Sequence, residues 1–276
     1  MPDLTRKAET LLALHHSAQP LILANAWDVA SARIIEEAGF PALATTSAGI
    51  AFAFGYPDGQ RISRKEMLGQ VARIARAAKA PVTADVEAGY GHRPEDAAQT
   101  AREVIEAGAV GMNFEDATDD PANPLFDLPL QLARIRAIRE AAAQAGVPLV
   151  LNARCDVYLA QVGPAESRYE RTLQRLNAYR DAGADCLFAP GVRDAETIGR
   201  LVKDLRHPLN ILAGPGSPSV PELAKLGVAR VSLGSAPLRA TLGLLQRMAD
   251  ELKATGTYRA LEGAPAHGEV NRLMEK

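Results

Sequence analysis

The chain has 276 residues, with 31 Lys plus Arg against 33 Asp plus Glu and a formal net charge of −2. That balance leaves no basic footprint for nucleic acid or an anionic membrane, and no apolar run reaches the roughly 20 residues of a membrane span. Two cysteines, Cys155 and Cys186, make no disulfide framework, and residues 1–20 are polar and charged rather than signal-like, so a reducing cytoplasm is expected.

Residues 4–17 read as a helix with Leu4, Leu11, Leu12 and Leu14 on one side, ended by Pro20. His15 and His16 fall on this helix and read as solvated. Leu21-Ile22-Leu23-Ala24 is apolar without alternation, the pattern of a strand buried on both faces. Asp28 is placed to cap the next helix, whose apolar positions are Val29, Ala32, Ile34 and Ile35. Gly39 then closes that helix, and the run from Pro41 to Thr45 starts another strand.

This helix–glycine–strand joint recurs at Gly39, Gly108, Gly146, Gly183 and Gly227. Glycine takes the left-handed conformation that stops a helix, and the chain turns directly into a strand. Repetition of that unit winds a parallel sheet. Eight strands are expected, near residues 21, 42, 81, 110, 148, 185, 209 and 229. The expected fold is therefore α/β, a (β/α)8 TIM barrel. An open doubly wound sheet is the alternative, but it wants a G-x-G-x-x-G after an early strand and none occurs. The organisation reads as one domain: an N-terminal helix over 1–19, the barrel over 20–236, and a C-terminal helix and arm over 237–276. The last helix carries Leu238, Leu242, Leu245, Met248 and Leu252 on one face, and residues 256–276 read as a tail or as an arm on another subunit.

Barrels of this kind place their sites at the C-terminal ends of the strands. The third strand ends in Ala84-Asp85-Val86-Glu87-Ala88-Gly89-Tyr90-Gly91, the fourth in Asn113-Phe114-Glu115-Asp116 and the fifth in Asn152-Ala153-Arg154. In a strand, residues two apart share a side, so Asp85 and Glu87 would face one way. Asp28 and Asp116 read as helix caps. Asp85, Glu87 and Glu115 on one rim repel one another unless a cation separates them. With oxygen donors and neither His nor Cys among them, the expected ion is hard, Mg2+ or Mn2+ in its place. Arg154 is either a counter-ion for these acids or a fork that grips a substrate carboxylate. No lysine falls at a strand end, which argues against a Schiff-base aldolase. Gly214-Pro215-Gly216 and Gly234-Ser235 read as plain loops, the cysteines as small core residues, and His92 as a loop residue within reach of the rim.

Together these segments resemble the isocitrate lyase/phosphoenolpyruvate mutase superfamily. Thr46-Ser47-Ala48-Gly49 is similar to its substrate-carboxylate loop, Gly55-Tyr56-Pro57-Asp58-Gly59 to its Y-P-D segment, and the segments ending in Gly91, Asp116 and Arg154 to its metal and substrate motifs. The resemblance implies a barrel whose last helix is swapped between the subunits of a homodimer or homotetramer. It implies Mg2+ held directly by Asp85 and through water by Asp58, Glu87 and Glu115. It places Thr45, Ser47, Ala48, Gly49, Asp85, Arg154 and Asn210 among the substrate-binding residues, and Arg154, Asp58 and Glu115 among the catalytic ones. The shared chemistry is cleavage beside a small 2-oxo or 2-hydroxy di- or tricarboxylic acid through a metal-stabilised pyruvate-type enolate, as in oxaloacetate decarboxylation or isocitrate and methylisocitrate cleavage. Phosphorus–carbon chemistry on phosphonopyruvate and non-catalytic binding of 2-oxo acids are the alternatives. The chain departs from the lyases of the family in lacking the K-[KR]-C-G-H loop and in carrying Thr45 where they tend to have tyrosine. Its 116–127 loop also has no lysine, unlike the mutase branch. Decarboxylation asks least of such a site.

Overall fold

A computed structural model describes residues 2–275. Among these residues nine strands form one parallel sheet: β1 (Leu21–Leu23), β2 (Asn25–Ala26), β3 (Leu43–Thr45), β4 (Val82–Asp85), β5 (Gly111–Glu115), β6 (Val150–Arg154), β7 (Cys186–Phe188), β8 (Leu209–Leu212) and β9 (Arg230–Ser232). β1 and β2 are the two halves of the expected first strand, broken at Ala24. β1 pairs with β9 while β2 pairs with β3, so the broken strand joins the two ends of the sheet and brings it round into a (β/α)8 barrel.

The helices are α1 (Pro2–Leu14), α2 (Val29–Glu37), α3 (Ser47–Ala53), α4 (Arg64–Ala77), α5 (Pro94–Glu106), α6 (Leu128–Ala145), α7 (Arg168–Asp181), α8 (Ala195–Leu205), α9 (Val220–Lys225), α10 (Ala236–Thr255) and α11 (His267–Glu275). Asp28 caps α2 through its side chain, as its position suggested. All five joint glycines have left-handed φ, from 68° at Gly146 to 107° at Gly183. The core is aliphatic and alanine-rich: β3 and β7 are buried throughout, with Leu43, Leu187, Ile211 and Val231 wholly enclosed.

Three features differ from the sequence reading. α1 stops at Leu14, and His15 beyond it is buried rather than solvated, with Nδ1 2.7 Å from the Leu11 carbonyl and Nε2 3.5 Å from Nη1 of the buried Arg230. Leu11 and His15 thus close the barrel bottom, where Leu11 packs over Gly111. The 47–49 stretch is the first turn of α3, because Thr46 caps it by accepting the Gly49 N–H at 3.2 Å. Residues 267–275 form α11, whose start is capped by Glu269 accepting the Ala266 N–H, and Arg33 of α2 donates to the Leu273 carbonyl. Of the α10 leucines only Leu238 is buried, while Leu242, Leu244, Leu245 and Leu252 are exposed. Among the described residues no helix is long and apolar enough to cross a membrane.

Candidate functional site

The C-terminal ends of the strands converge on a cavity of about 170 Å³ whose polar wall includes Ser47, Asp58, Asp85, Asn113 and Arg154. Asp85, the last residue of β4, is held from two sides. Its Oδ2 accepts from the Ser47 N–H at 3.0 Å and the Ser47 hydroxyl at 2.8 Å, and its own N–H donates to Thr45 Oγ1 at 2.9 Å. Its other oxygen, Oδ1, is buried without a partner. Ser47 and Ala48 line the cavity, but Thr45 is fully enclosed behind Asp85, and the Gly49 N–H is already taken by Thr46. Thr45 and Gly49 therefore shape the rim from behind it.

Glu87 does not reach the site by strand alternation. β4 has ended, and Glu87 sits at φ 51°, in the left-handed region that costs a non-glycine residue energy. The turn is fixed by Gln60, whose N–H donates to Glu87 Oε2 at 2.7 Å and whose side-chain oxygen accepts the Tyr90 N–H at 2.6 Å. Gly89 follows with φ 84°, and a Cβ there would meet the Phe114 ring at 2.7 Å. Glu87 Oε1 is buried without a partner. Burial, with Asp58 and Asp85 nearby, pushes the Glu87 carboxyl up to about 7. Asp58 lies at the exposed cavity mouth, where partial desolvation and the Asp85 charge raise its carboxyl above the ordinary range.

Arg154 ends β6 in register with Glu115 of β5. Its Nη1 is 2.6 Å from Glu115 Oε2, and its Nη2 is 2.8 Å from Asp156 Oδ1, which also accepts from Nε at 2.9 Å. Each terminal nitrogen keeps a second N–H beyond these bonds. Burial opposes charge on Arg154, but Asp156, Glu115 and Asp85 outweigh it and hold the guanidinium above its usual value. Burial drives Glu115 well up, against the pull of Arg154. Asn210 is fully enclosed, accepts from Ser232 Oγ at 3.1 Å, and does not line the cavity.

Several residues here escaped the sequence reading. Asp156, two positions past Arg154, is that residue's second partner. Asp116 caps no helix. It is fully buried and accepts from the Asp156 N–H at 2.8 Å, Arg175 Nε at 2.7 Å and the Tyr179 hydroxyl at 2.6 Å. Arg175 also donates to the Phe126 carbonyl at 2.7 Å, anchoring the 116–127 loop, which is a hairpin bridged at Ala117 and Leu125. His92 meets Phe126 edge-on at 5.3 Å and does not line the cavity.

Gln131 and Arg134 of α6 hold both acidic segments. Gln131 donates to the Glu115 carbonyl at 3.1 Å and accepts from Arg134 Nη1 at 2.7 Å. Arg134 Nη2 donates to the carbonyls of Ala88 and Gly91, the latter at 2.9 Å. Its guanidinium lies between the Phe114 ring at 4.7 Å and the Phe126 ring at 4.0 Å. The signal was present in the sequence: Gln131 and Arg134 occupy the same buried stripe as Ile135 and Ile138.

The donor set fits a hard divalent cation. Three buried carboxylate oxygens, Asp85 Oδ1, Glu87 Oε1 and Asp156 Oδ2, lack partners, and buried acceptors of this kind call for a donor or an ion. Among the described residues no three His, Cys, Asp or Glu side chains come close enough to hold an ion by themselves.

Comparison with known proteins identifies the family. An uncharacterized protein of Mycobacterium tuberculosis is 38% identical over 230 residues, 83% of each chain. Oxaloacetate decarboxylase of Rhodopseudomonas palustris is 29% identical over 95% of this chain and 89% of its own. A Burkholderia cenocepacia crystal structure with a provisional lyase/mutase description superposes with a TM-score of 0.94 at 41% identity, covering 100% of this chain and 98% of that one. Oxaloacetate acetylhydrolase bound to the product oxalate does so with a TM-score of 0.85 at 26% identity, covering 98% and 94%. The family described as phosphoenolpyruvate phosphomutase matches residues 11–253, and the chain belongs to that family, within the phosphoenolpyruvate mutase/isocitrate lyase superfamily.

Proposed function

We propose that this chain is a Mg2+-dependent carbon–carbon bond lyase, able to use Mn2+, that acts on a small 2-oxo or 2-hydroxy acid with two or three carboxylates, with decarboxylation of a 2-oxo diacid as its chemistry. One observation carries the reading: Asp85, whose buried Oδ1 has no partner, and Arg154 line one cavity of about 170 Å³. A space of that size suits a small acid rather than a drug-sized ligand. No lysine lines it, so no Schiff base is on offer. The similarity to oxaloacetate decarboxylase and oxaloacetate acetylhydrolase supports the substrate class.

In this reading Asp85 is the direct ligand, fixed by Ser47 and Thr45, while Asp58, Glu87 and Glu115 hold water around the ion. When bound, the ion supplies the positive charge against which negative charge builds on the 2-oxo oxygen. Arg154, aimed by Glu115 and Asp156, grips the substrate carboxylate through its remaining N–H groups. Ser47 and Ala48 flank that carboxylate. The scissile carbon–carbon pair moves toward the 2-oxo group, carbon dioxide leaves, and water protonates the carbon left behind. The exposed leucines of α10 support a homodimer or homotetramer in which this helix is swapped.

Oxaloacetate, isocitrate, methylisocitrate, dimethylmalate and phosphonopyruvate, each supplied with Mg2+ and followed for pyruvate, glyoxylate, succinate and phosphate, test the reading. Pyruvate released from oxaloacetate, lost on chelation and in Asp85→Asn, is expected. Turnover untouched by the chelator, or phosphate and pyruvate released from phosphonopyruvate with no turnover of the other acids, would overturn it.

A further inference from the structure

Two asparagines line the cavity, and the fold engages them differently. Asn25 is fully committed. Its Nδ2 donates to the Thr45 carbonyl at 2.8 Å, and its Oδ1 accepts from the N–H groups of Leu233 and Gly234 at 2.9 and 2.8 Å. Asn113 of β5 is committed on one side only. Its Oδ1 accepts from Arg230 Nη2 at 3.0 Å and from Asn152 Nδ2 at 2.6 Å, two residues that are wholly enclosed and do not line the cavity. Its Nδ2 has no hydrogen-bond partner among the described residues yet is not sealed within the protein, so its two N–H groups open on the cavity.

Arg230 decides which way this amide points. A guanidinium has N–H groups and no acceptor, so only the amide oxygen can face it. Asn152 must then turn its own Nδ2 to the same oxygen, which leaves Asn152 Oδ1 buried without a partner. Two donors on one oxygen hold the amide against flipping. Asp85, in register with Asn113 on the neighbouring strand, has a buried Oδ1 without a partner, and the amide does not donate to it. A donor and an acceptor therefore stand in one cavity without meeting. The acceptor is the oxygen already read as the ion's ligand. The donor suits an oxygen of the bound acid, because an N–H left unpaired in a closed site loses its water with nothing in return.

We propose that Asn113 contacts the substrate, its Nδ2 donating to an oxygen of the bound 2-oxo acid on the Asp85 side of the cavity, and that Arg230 and Asn152 are positioning residues that aim it. This deepens the 2-oxo acid reading and rests on it. Arg154 supplies the charged grip and Asn113 an uncharged one, so the acid is held from β5 and β6 together.

Calorimetric titration of the full chain with oxalate at saturating Mg2+ tests this. Asn113→Ala should bind oxalate about tenfold more weakly than the wild type, the worth of a hydrogen bond to a charged acceptor. Asn113→Asp keeps the shape and the bond to Arg230 but puts an oxygen where the N–H groups were, so it should bind oxalate more weakly still. A merely packing role predicts the reverse, with the isosteric Asn113→Asp the milder change. Mn2+ affinity without oxalate, read by electron paramagnetic resonance, should be unchanged in Asn113→Ala. Arg230→Met and Asn152→Leu each remove one donor from the Asn113 oxygen. Each should weaken oxalate in the wild-type background and alter it by less than about twofold in the Asn113→Ala background. Asn152→Leu leaves the buried cation in place and carries this cycle should Arg230→Met fail to fold. Oxalate bound alike by the wild type and Asn113→Ala, Asn113→Asp binding it better than Asn113→Ala, or a cycle whose losses simply add would overturn the proposal while leaving the 2-oxo acid reading intact. So would a loss of Mn2+ affinity as large as that of oxalate, which would assign Asn113 to the ion. A wild type that binds no oxalate would remove that reading and the proposal together.

Discussion

His15 offers the sharpest test of the barrel's lower end. It is 2% exposed, its Nδ1 lies 2.7 Å from the Leu11 carbonyl, and its Nε2 faces Nη1 of the fully buried Arg230 at 3.5 Å. The neutral ring with its proton on Nδ1 satisfies both contacts, donating to Leu11 and accepting from Arg230. A second proton would sit on Nε2, against a guanidinium. Burial, then Arg230, lowers the His15 pKa from 6.5 to about 3. Between those values the unfolded chain binds a proton that the folded chain refuses, so this contribution is present above pH 6.5 and drains away as pH falls toward 3. From pH 8 to pH 5 the linkage integral gives a loss of about 2 kcal/mol from this one residue. Carboxylates titrate over the same range, so the measurement is a difference. Urea unfolding of the wild type and of His15→Gln at both pH values cancels the shared terms. Glutamine can still donate to Leu11 and accept from Arg230 but does not ionise. The wild type should lose about 2 kcal/mol more than the variant. Equal losses would mean that His15 is protonated in the folded protein or reaches water, and the picture of a closed barrel floor would fail.

Two further outcomes follow from the packing. Arg134→Lys keeps a charge but loses the fork on Ala88, Gly91 and Gln131 and the stack between Phe114 and Phe126, so Mn2+ affinity, read by electron paramagnetic resonance, should fall about tenfold. A lower Tm with unchanged affinity would make the residue merely structural. Leu242→Glu with Leu245→Glu should lower the assembly mass seen by light scattering without changing the far-ultraviolet spectrum, and an unchanged mass would show that the exposed face of α10 joins no subunits.

What could be read from the sequence was what local physics decides. A strand buried on both faces must be apolar throughout, which exposed 21–24 and 149–151, and glycine at a helix end must be left-handed, which exposed the winding. Even the acids on the rim were legible, because strand ends in a barrel face one way. Direction beyond a strand end was not. Alternation placed Glu87 beside Asp85, whereas a left-handed backbone and the Gln60 N–H set its side chain. Likewise, the partners of a buried polar group come from anywhere in the chain. Asp116 looked like a cap because aspartate before a helix is one, yet its donors lie 40 to 63 residues away, on Asp156, Arg175 and Tyr179. His15 looked solvated because it was read, with His16, as part of the first helix, and Arg230, 215 residues on, shows why it is enclosed.

The two kinds of residue answer to different constraints. Asp85, Glu87 and Arg154 stand where the fold's direction puts them, while Arg134, Gln131, Asp116 and Arg175 make that placement rigid from behind. Among the described residues Arg134 has no carboxylate partner at hydrogen-bonding distance, and the hydrogen-bonding partners of Arg230 are His15 and Asn113, so both remain buried cations sustained by carbonyls, amides and rings. An unpaired buried guanidinium is costly, and Arg134 is lowered by that burial to about 10. Its cost is matched to the turn after β4, where it takes the Ala88 and Gly91 carbonyls, while the Glu115 N–H takes that of Glu87 and the Thr100 hydroxyl that of Gly89. A helix residue that bonds two of those carbonyls at once fixes the turn that carries Glu87, which the strand alone, ending at Asp85, does not do.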